Sequence, residues 1–380
     1  MKIRADKRAL SEALNAAQKI ADPKGHPAII GCVAMSAHDG AVHVRATNLR
    51  TGIAIAVECE VMTPGDVAID ARDAAAIVAA MPDGDVVIDV DPGKSAVFSG
   101  GSRGRSRQEA GSVSAADFPT IGSPDRVTWV SADGASIDEV IGAGCYAVHV
   151  ATGADHRPGI CSVLVECVNG TLSAVSTDGA RAVIAEREVG MDDFTWLIPS
   201  TALPHVRPVL GSGQVDVGLA DGCLFVRGQR ALVWTQLDDT KMPPVRKVFE
   251  RFEAIKNVTT VTCARSTVSD ALKRMSGAAS KVKASNHGGL VVVRFCDGMM
   301  QMNTGGGPGA GRAASESIDV GYHEKKDAVI GFGFNILHQA FQSSHDEVTV
   351  TFKDEKEGVL VSGVGGLKTK ALVMPMRIDK

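Results

Sequence analysis

Apolar positions along the chain change period in a fixed order. The opening KIRAD runs as a short strand. Leu10, Ala13, Leu14 and Ala17 then recur at helical spacing, with Arg8, Glu12, Asn15 and Lys19 on the other side. The same strand-then-helix pattern opens at Lys2, Asp66, Val127, Phe194, Thr260 and Asp327, with successive spacings of 64, 61, 67, 66 and 67 residues. Ile77, Val78 and Met81 form the apolar stripe of the second helix. Val268, Leu272, Met275 and Ala279 form that of the fifth, and Ile336, Ala340 and Phe341 that of the sixth. After each helix the period drops toward two, as in VVIDV (86–90), QVDVGL (214–219) and EVTVTF (347–352), each followed by a turn and a further strand.

Six such repeats taken in pairs predict an α+β chain of three similar domains, over 1–125, 126–255 and 256–380. AADFPTIGSPDRV (115–127) and DDTKMPPVRKVFERF (238–252) read as the connections, with Pro119, Pro243 and Pro244 interrupting regular structure. In the fourth helix Pro204 fits a first turn, whereas Pro208 is expected to distort or end it. Modules with two helices on one face can form an arc. Two arcs joined head to tail would close a ring whose sheet edges are paired at the joints.

Composition narrows the function. In 380 residues, 40 Lys plus Arg face 44 Asp plus Glu, so any contact with nucleic acid has to be local and geometric. Residues 256–380 are the basic part, with 16 Lys plus Arg against 12 Asp plus Glu. The start turns polar too early for a secretory signal, and no apolar run reaches the ~20 residues of a membrane span. A cytoplasmic protein is expected. The eight cysteines form no C-x-x-C pair and read as small buried hydrophobes. In the Gly-rich stretch 304–315, Gly311 is followed by Arg312 and Ala313, not by the Lys and Ser/Thr of a phosphate loop. No catalytic constellation, cofactor site or metal site is expected, and an enzyme is the weakest of the possible readings.

Several segments resemble one family, the bacterial sliding clamp, the beta subunit of DNA polymerase III. They are VSTDGARAV (175–183), AADFP (115–119), ALKRMSGAAS (271–280), IGFGFN (330–335) and the terminal VMPMRI (373–378), in six repeats spanning the whole chain. The resemblance implies a homodimeric ring of two three-domain subunits that encircles double-stranded DNA without sequence specificity. It further implies a DNA-replication processivity factor that tethers the replicative polymerase catalytic subunit, is opened and closed by a clamp loader, and serves other polymerases and repair proteins. A specialised second clamp, for repair or a restricted set of polymerases, is the alternative; the segment 153–166, with Pro158 and Gly159, is its sequence hint.

On that resemblance the DNA-facing residues are Arg8, Lys19, Lys24, His26, Arg72, Arg207, Lys273 and Arg274, with His205, Arg265, Lys281 and Lys283 beside them. They would attract phosphates without reading bases. The partner-peptide groove is assigned to Ile160, Thr177, Gly179, Arg181, Pro243, Val248, Met374, Pro375 and Met376, with Arg181 or exposed backbone groups orienting the peptide's polar atoms. The dimer seam is assigned to Ile77 and Met81 against Ala278 and Ala279.

Overall fold

The computed structural model describes residues 1–91, 93–101, 104–119, 124–150, 157, 159–279, 289–305, 312–322, 327–341, 346–363 and 365–378. The first repeat is β1 (Lys2–Asp6), α1 (Lys7–Gln18), β2 (Cys32–His38), β3 (Ala41–Thr47) and β4 (Thr51–Thr63). The second is β5 (Gly65–Asp70), α2 (Ala71–Ala80), β6 (Asp85–Val90), β7 (Ala96–Gly100) and β8 (Ser106–Ala110), with a short β9 (Ser112–Val113). The third is β10 (Val130–Asp133), α3 (Gly134–Gly144), β11 (Ser162–Val168), β12 (Thr171–Thr177) and β13 (Arg181–Glu188). The fourth is β14 (Phe194–Pro199), α4 (Leu203–Leu210), β15 (Gln214–Ala220), β16 (Cys223–Arg227) and β17 (Ala231–Gln236), followed by α5 (Val245–Glu253). The fifth is β18 (Thr259–Ala264), α6 (Arg265–Ala279), β19 (Leu290–Cys296), β20 (Met299–Thr304) and β21 (Ala314–Asp319). The sixth is β22 (Ala328–Gly333), α7 (Phe334–Ala340), β23 (Glu347–Phe352), β24 (Val359–Gly363) and β25 (Lys368–Val373).

Each repeat is therefore strand, helix, three strands, and paired repeats exchange their opening strands. β1 pairs β6 while β5 pairs β2; β10 pairs β15 while β14 pairs β11; β18 pairs β23 while β22 pairs β19. The first two helices start where a carboxylate takes over free amide protons. Asp6 accepts from the Ala9 N–H at 2.9 Å, and Asp70 from those of Arg72 and Asp73 at 2.9 and 3.1 Å.

The chain divides into two compact bodies, Met1–Asp138 with Thr201–Leu237, and Glu139–Ser200 with Asp238–Lys380. The dividing line runs through the expected middle domain because its two halves are sewn into different sheets. In the first body β17 pairs β4. Ile53 stands opposite Val233 in the core, and on the other face Gly52 lies under Trp234 so closely that a Cβ there would be 2.1 Å from the ring. In the second body β13 pairs β25, with Val183 opposite Ala371. Burying each such Val, Ile or Leu contributes about 1.5–3 kcal/mol.

Two segments carry more helix than their prolines suggest. The stretch 238–252 is not merely a connection, because after Pro244 it becomes α5. Val245, Phe249 and Phe252 of that helix cover Val175, Ala182, Ile184 and Leu372, and Arg246 holds Glu166 and Glu186 at 2.9 and 2.7 Å. Pro208 does not end α4: it sits two residues from the end, where one lost helical bond is tolerated. The cysteines are free thiols, half-buried or buried, and burial pushes the Cys263 thiol up to about 11.

Candidate nucleic-acid and partner-peptide surfaces

The expected DNA-facing cations lie on exposed or half-buried positions, and four of them hold carboxylates. Arg8 pairs with Glu12 (3.1 Å), Arg207 with Asp138 (2.6 Å) and Lys273 with Asp270 (3.0 Å), while Arg274 grips Glu316 with Nε and Nη2 at 2.9 and 2.7 Å. Lys19, Lys24 and Arg72 are exposed and make no ion pair among the described residues. His26 is exposed in the loop before Ala28. A pre-paired cation presents a dipole to a phosphate, so attraction is weaker than the count of Lys and Arg suggests. Lys281 and Lys283 lie outside the described residues.

Between α1 and α4 a cleft of about 580 Å³ is floored by Ile53 and Ile55 and edged by Lys19, His205 and Arg230. Burial, and then the charge of Lys19, lowers the His205 pKa, which favours its neutral form.

The segment after β12 is a tight polar turn. Thr177 Oγ1 donates to the Arg181 carbonyl (2.7 Å) and accepts from the Gly179 N–H (3.1 Å), while Asp178 Oδ1 accepts from the N–H groups of Ala180 and Arg181 at 2.9 and 3.0 Å. Gly179 takes φ +90°, a conformation that disfavours a side chain. The first repeat contains the same turn. Thr47, Asn48 and Thr51 make the equivalent bonds, and Leu49 takes the equivalent place at φ 71° with its side chain exposed.

Around the second turn the structure gathers several of the expected groove segments. The Met374 N–H donates to the Ala180 carbonyl (2.9 Å), and Gly179 lies near the Arg157 guanidinium. The 159–160 turn packs on the Lys241 carbonyl, two residues before the exposed Pro243. Met374 and Val248 keep 44% and 45% exposure, Val248 flanking the packed stripe of α5. Pro375 and Met376 are half-buried, and the Met376 N–H donates to the Gly331 carbonyl (2.8 Å). Ile160 and Thr177 are buried and support the surface from beneath.

Arg181 is not a free donor. Its side chain is 12% exposed, its Nε is 3.0 Å from Asp178 Oδ2, Nη1 donates to Gln339, and the guanidinium lies over the ring of Tyr146. Sequence reasoning missed Tyr146, Gln339 and the Arg157–His149 contact of 3.1 Å, because none of them belongs to a motif.

The seam assignment also meets a difficulty in burial. Ile77, Met81, Ala278 and Ala279 are 9%, 2%, 6% and 1% exposed within their own bodies, so they offer little surface to a second copy. Edge strands are the better candidates. β8 pairs only β7 and β21 pairs only β20 among the described residues, leaving one edge of each unpaired.

Among the described residues, no group of three or more His, Cys, Asp or Glu is placed to hold a metal, and no helix is long and apolar enough to cross a membrane. The family profile described as DNA polymerase III beta subunit, N-terminal domain, matches residues 1–122. The beta sliding clamp of Micrococcus luteus is 25% identical over 335 residues, covering 84% of this chain and 98% of that protein. That of Synechocystis is 24% identical, covering 93% of each. The fold is shared over the whole of both chains with a DNA polymerase III beta subunit from Eubacterium rectale (TM-score 0.83, 20% identity) and with the Caulobacter crescentus sliding clamp (0.81, 22%). The chain is accordingly similar along its length to bacterial beta sliding clamps and shares their fold, and its first 122 residues match the N-terminal domain of the DNA polymerase III beta subunit.

Proposed function

We propose that two copies of this chain close head to tail into a ring that encircles duplex DNA, slides on it, and tethers the replicative polymerase through an apolar peptide groove. The observation that carries the ring is a rule among last strands. The last strand of repeat one pairs with that of repeat four (β4 with β17), and that of repeat three with that of repeat six (β13 with β25). By the same rule repeat five pairs with repeat two. Those last strands are β21 and β8, the two among the six last strands that keep an unpaired edge among the described residues, and in this reading a second copy supplies the partner of each. Domains of 1–125, 126–255 and 256–380 follow as the units that this rule joins.

In this reading the helix faces carrying Arg8, Lys19, Arg72, Arg207 and Lys273 line the hole, and Lys24 and His26 approach the duplex from their loop. Val248, Pro243 and Met374 to Met376 form the wall on which polymerase tails, other polymerases, repair proteins and the clamp loader dock in turn, all in the cytoplasm. Each buried anchor of ~100 Å² contributes roughly 2–3 kcal/mol before ordering costs, which suits exchange between partners. Molar mass from sedimentation with low-resolution particle images tests the ring. A dimer with a central hole wide enough for duplex DNA is expected, and a monomer at all concentrations would overturn it.

A further inference from the structure

The two joints inside the chain predict the register of the third. Core-facing Ala46, Ser176 and Thr304 stand opposite Ile53, Val183 and Ala314, which makes Ala314 the counterpart of Ile53 and Val183. Likewise Val226, Val361 and Phe98 stand opposite Val233, Ala371 and Gln108, which makes Gln108 the counterpart of Val233 and Ala371. The observed joints place Ile53 on Val233 and Val183 on Ala371. The third joint therefore places Ala314 on Gln108 of the partner subunit and, two residues along each strand, Glu316 on Ser106 of the partner subunit.

The chemistry of this joint differs from that of the other two. Ile53, Val233, Val183 and Ala371 are apolar and buried, whereas Gln108 and Ser106 are polar and Glu316 is an ion already gripped by Arg274 at 2.9 and 2.7 Å. Resting on the ring reading, we propose that the seam is a polar joint built around the Arg274–Glu316 pair, which the Ser106 hydroxyl and Gln108 amide of the partner subunit cap, and that salt opens this joint while the two apolar joints hold. Both capping groups can donate to a carboxylate, and neighbours across a strand pair lie within reach of one another. Screening weakens such contacts, whereas apolar burial is not screened. The same Arg274 is thereby committed to the seam and withdrawn from phosphate.

Two measurements on the full chain test this. In Gln108→Cys/Ala314→Cys the thiols face each other, and oxidation should yield covalent dimers. Gln108→Cys/Ser315→Cys places them on opposite faces and should give no more than the single variants, which report the native thiols. Cross-linking of the second pair in preference to the first would overturn the register. By sedimentation the dimer should weaken about tenfold or more between about 0.05 and about 0.5 M salt. Glu316→Gln should flatten that dependence, and Gln108→Leu/Glu316→Leu, which copies the apolar joints, should remove it. A dimer whose affinity ignores both salt and Glu316→Gln would overturn the inference and leave the ring standing. No dimer at any salt concentration would overturn the ring reading and this inference together.

Discussion

Arg181 and Asp178 hold each other at 3.0 Å across a single turn, with both side chains 12% exposed. The same aspartate bonds two backbone amides and the same arginine reaches Gln339 and Tyr146, so the pair is a structural lock beneath the proposed peptide surface. Removing one partner leaves the other charge largely buried. Asp178→Ala should cost about 2–4 kcal/mol in urea unfolding, and a loss below about 0.5 kcal/mol would show that the turn does not depend on it.

Met81 gives the opposite test of place. At 2% exposure within the core of the first body, it is a packing residue whatever lies outside. Met81→Asp should cost more than about 3 kcal/mol and broaden or abolish thermal unfolding, not produce clean folded monomers. Recovery of a folded monomer with unchanged melting would restore Met81 to the seam.

In the proposed ring the cations on the helices contribute unequally to DNA attraction. Lys19 is unpaired among the described residues, so Lys19→Glu should lower the log–log salt slope of duplex binding by up to about one. Lys273 is shared with Asp270, so Asp270→Asn should strengthen binding by releasing it. Fluorescence anisotropy of a short duplex across a salt series reads both. Equal slopes for wild type and Lys19→Glu would remove α1 from the DNA surface.

Met374 and Val248 are the exposed apolar side chains of the proposed peptide wall. Each change to alanine should weaken a polymerase-tail peptide by about 1–2 kcal/mol while altering fold stability by less than about 0.5 kcal/mol. Titration of the peptide against the variants by calorimetry or anisotropy checks it, and unchanged affinity in the double variant would move the groove elsewhere.

Much of the fold could be read in the chain because one short code is written six times. The openings at Lys2, Asp66 and Phe194 coincide within a residue with β1, β5 and β14, since a period of two followed by 3.6 is a local signal. α5 was hidden behind Pro243 and Pro244, although Val245, Phe249 and Phe252 have helical spacing. The prolines block only what precedes them. The turn at Thr177 was readable from Thr, Asp and Gly alone. What could not be read was how charge is shared. Whether Arg274 faces DNA or Glu316 depends on a strand 42 residues away, and whether Met81 is core or seam depends on which side of its helix the sheet covers.

Retention on DNA of defined topology tests the ring most directly. The chain, placed on a nicked circular duplex by a clamp loader, should stay bound through high-salt washing and fall off when the circle is cut to a linear molecule with free ends. Equal retention on circular and linear DNA, or equal loss from both, would contradict encirclement.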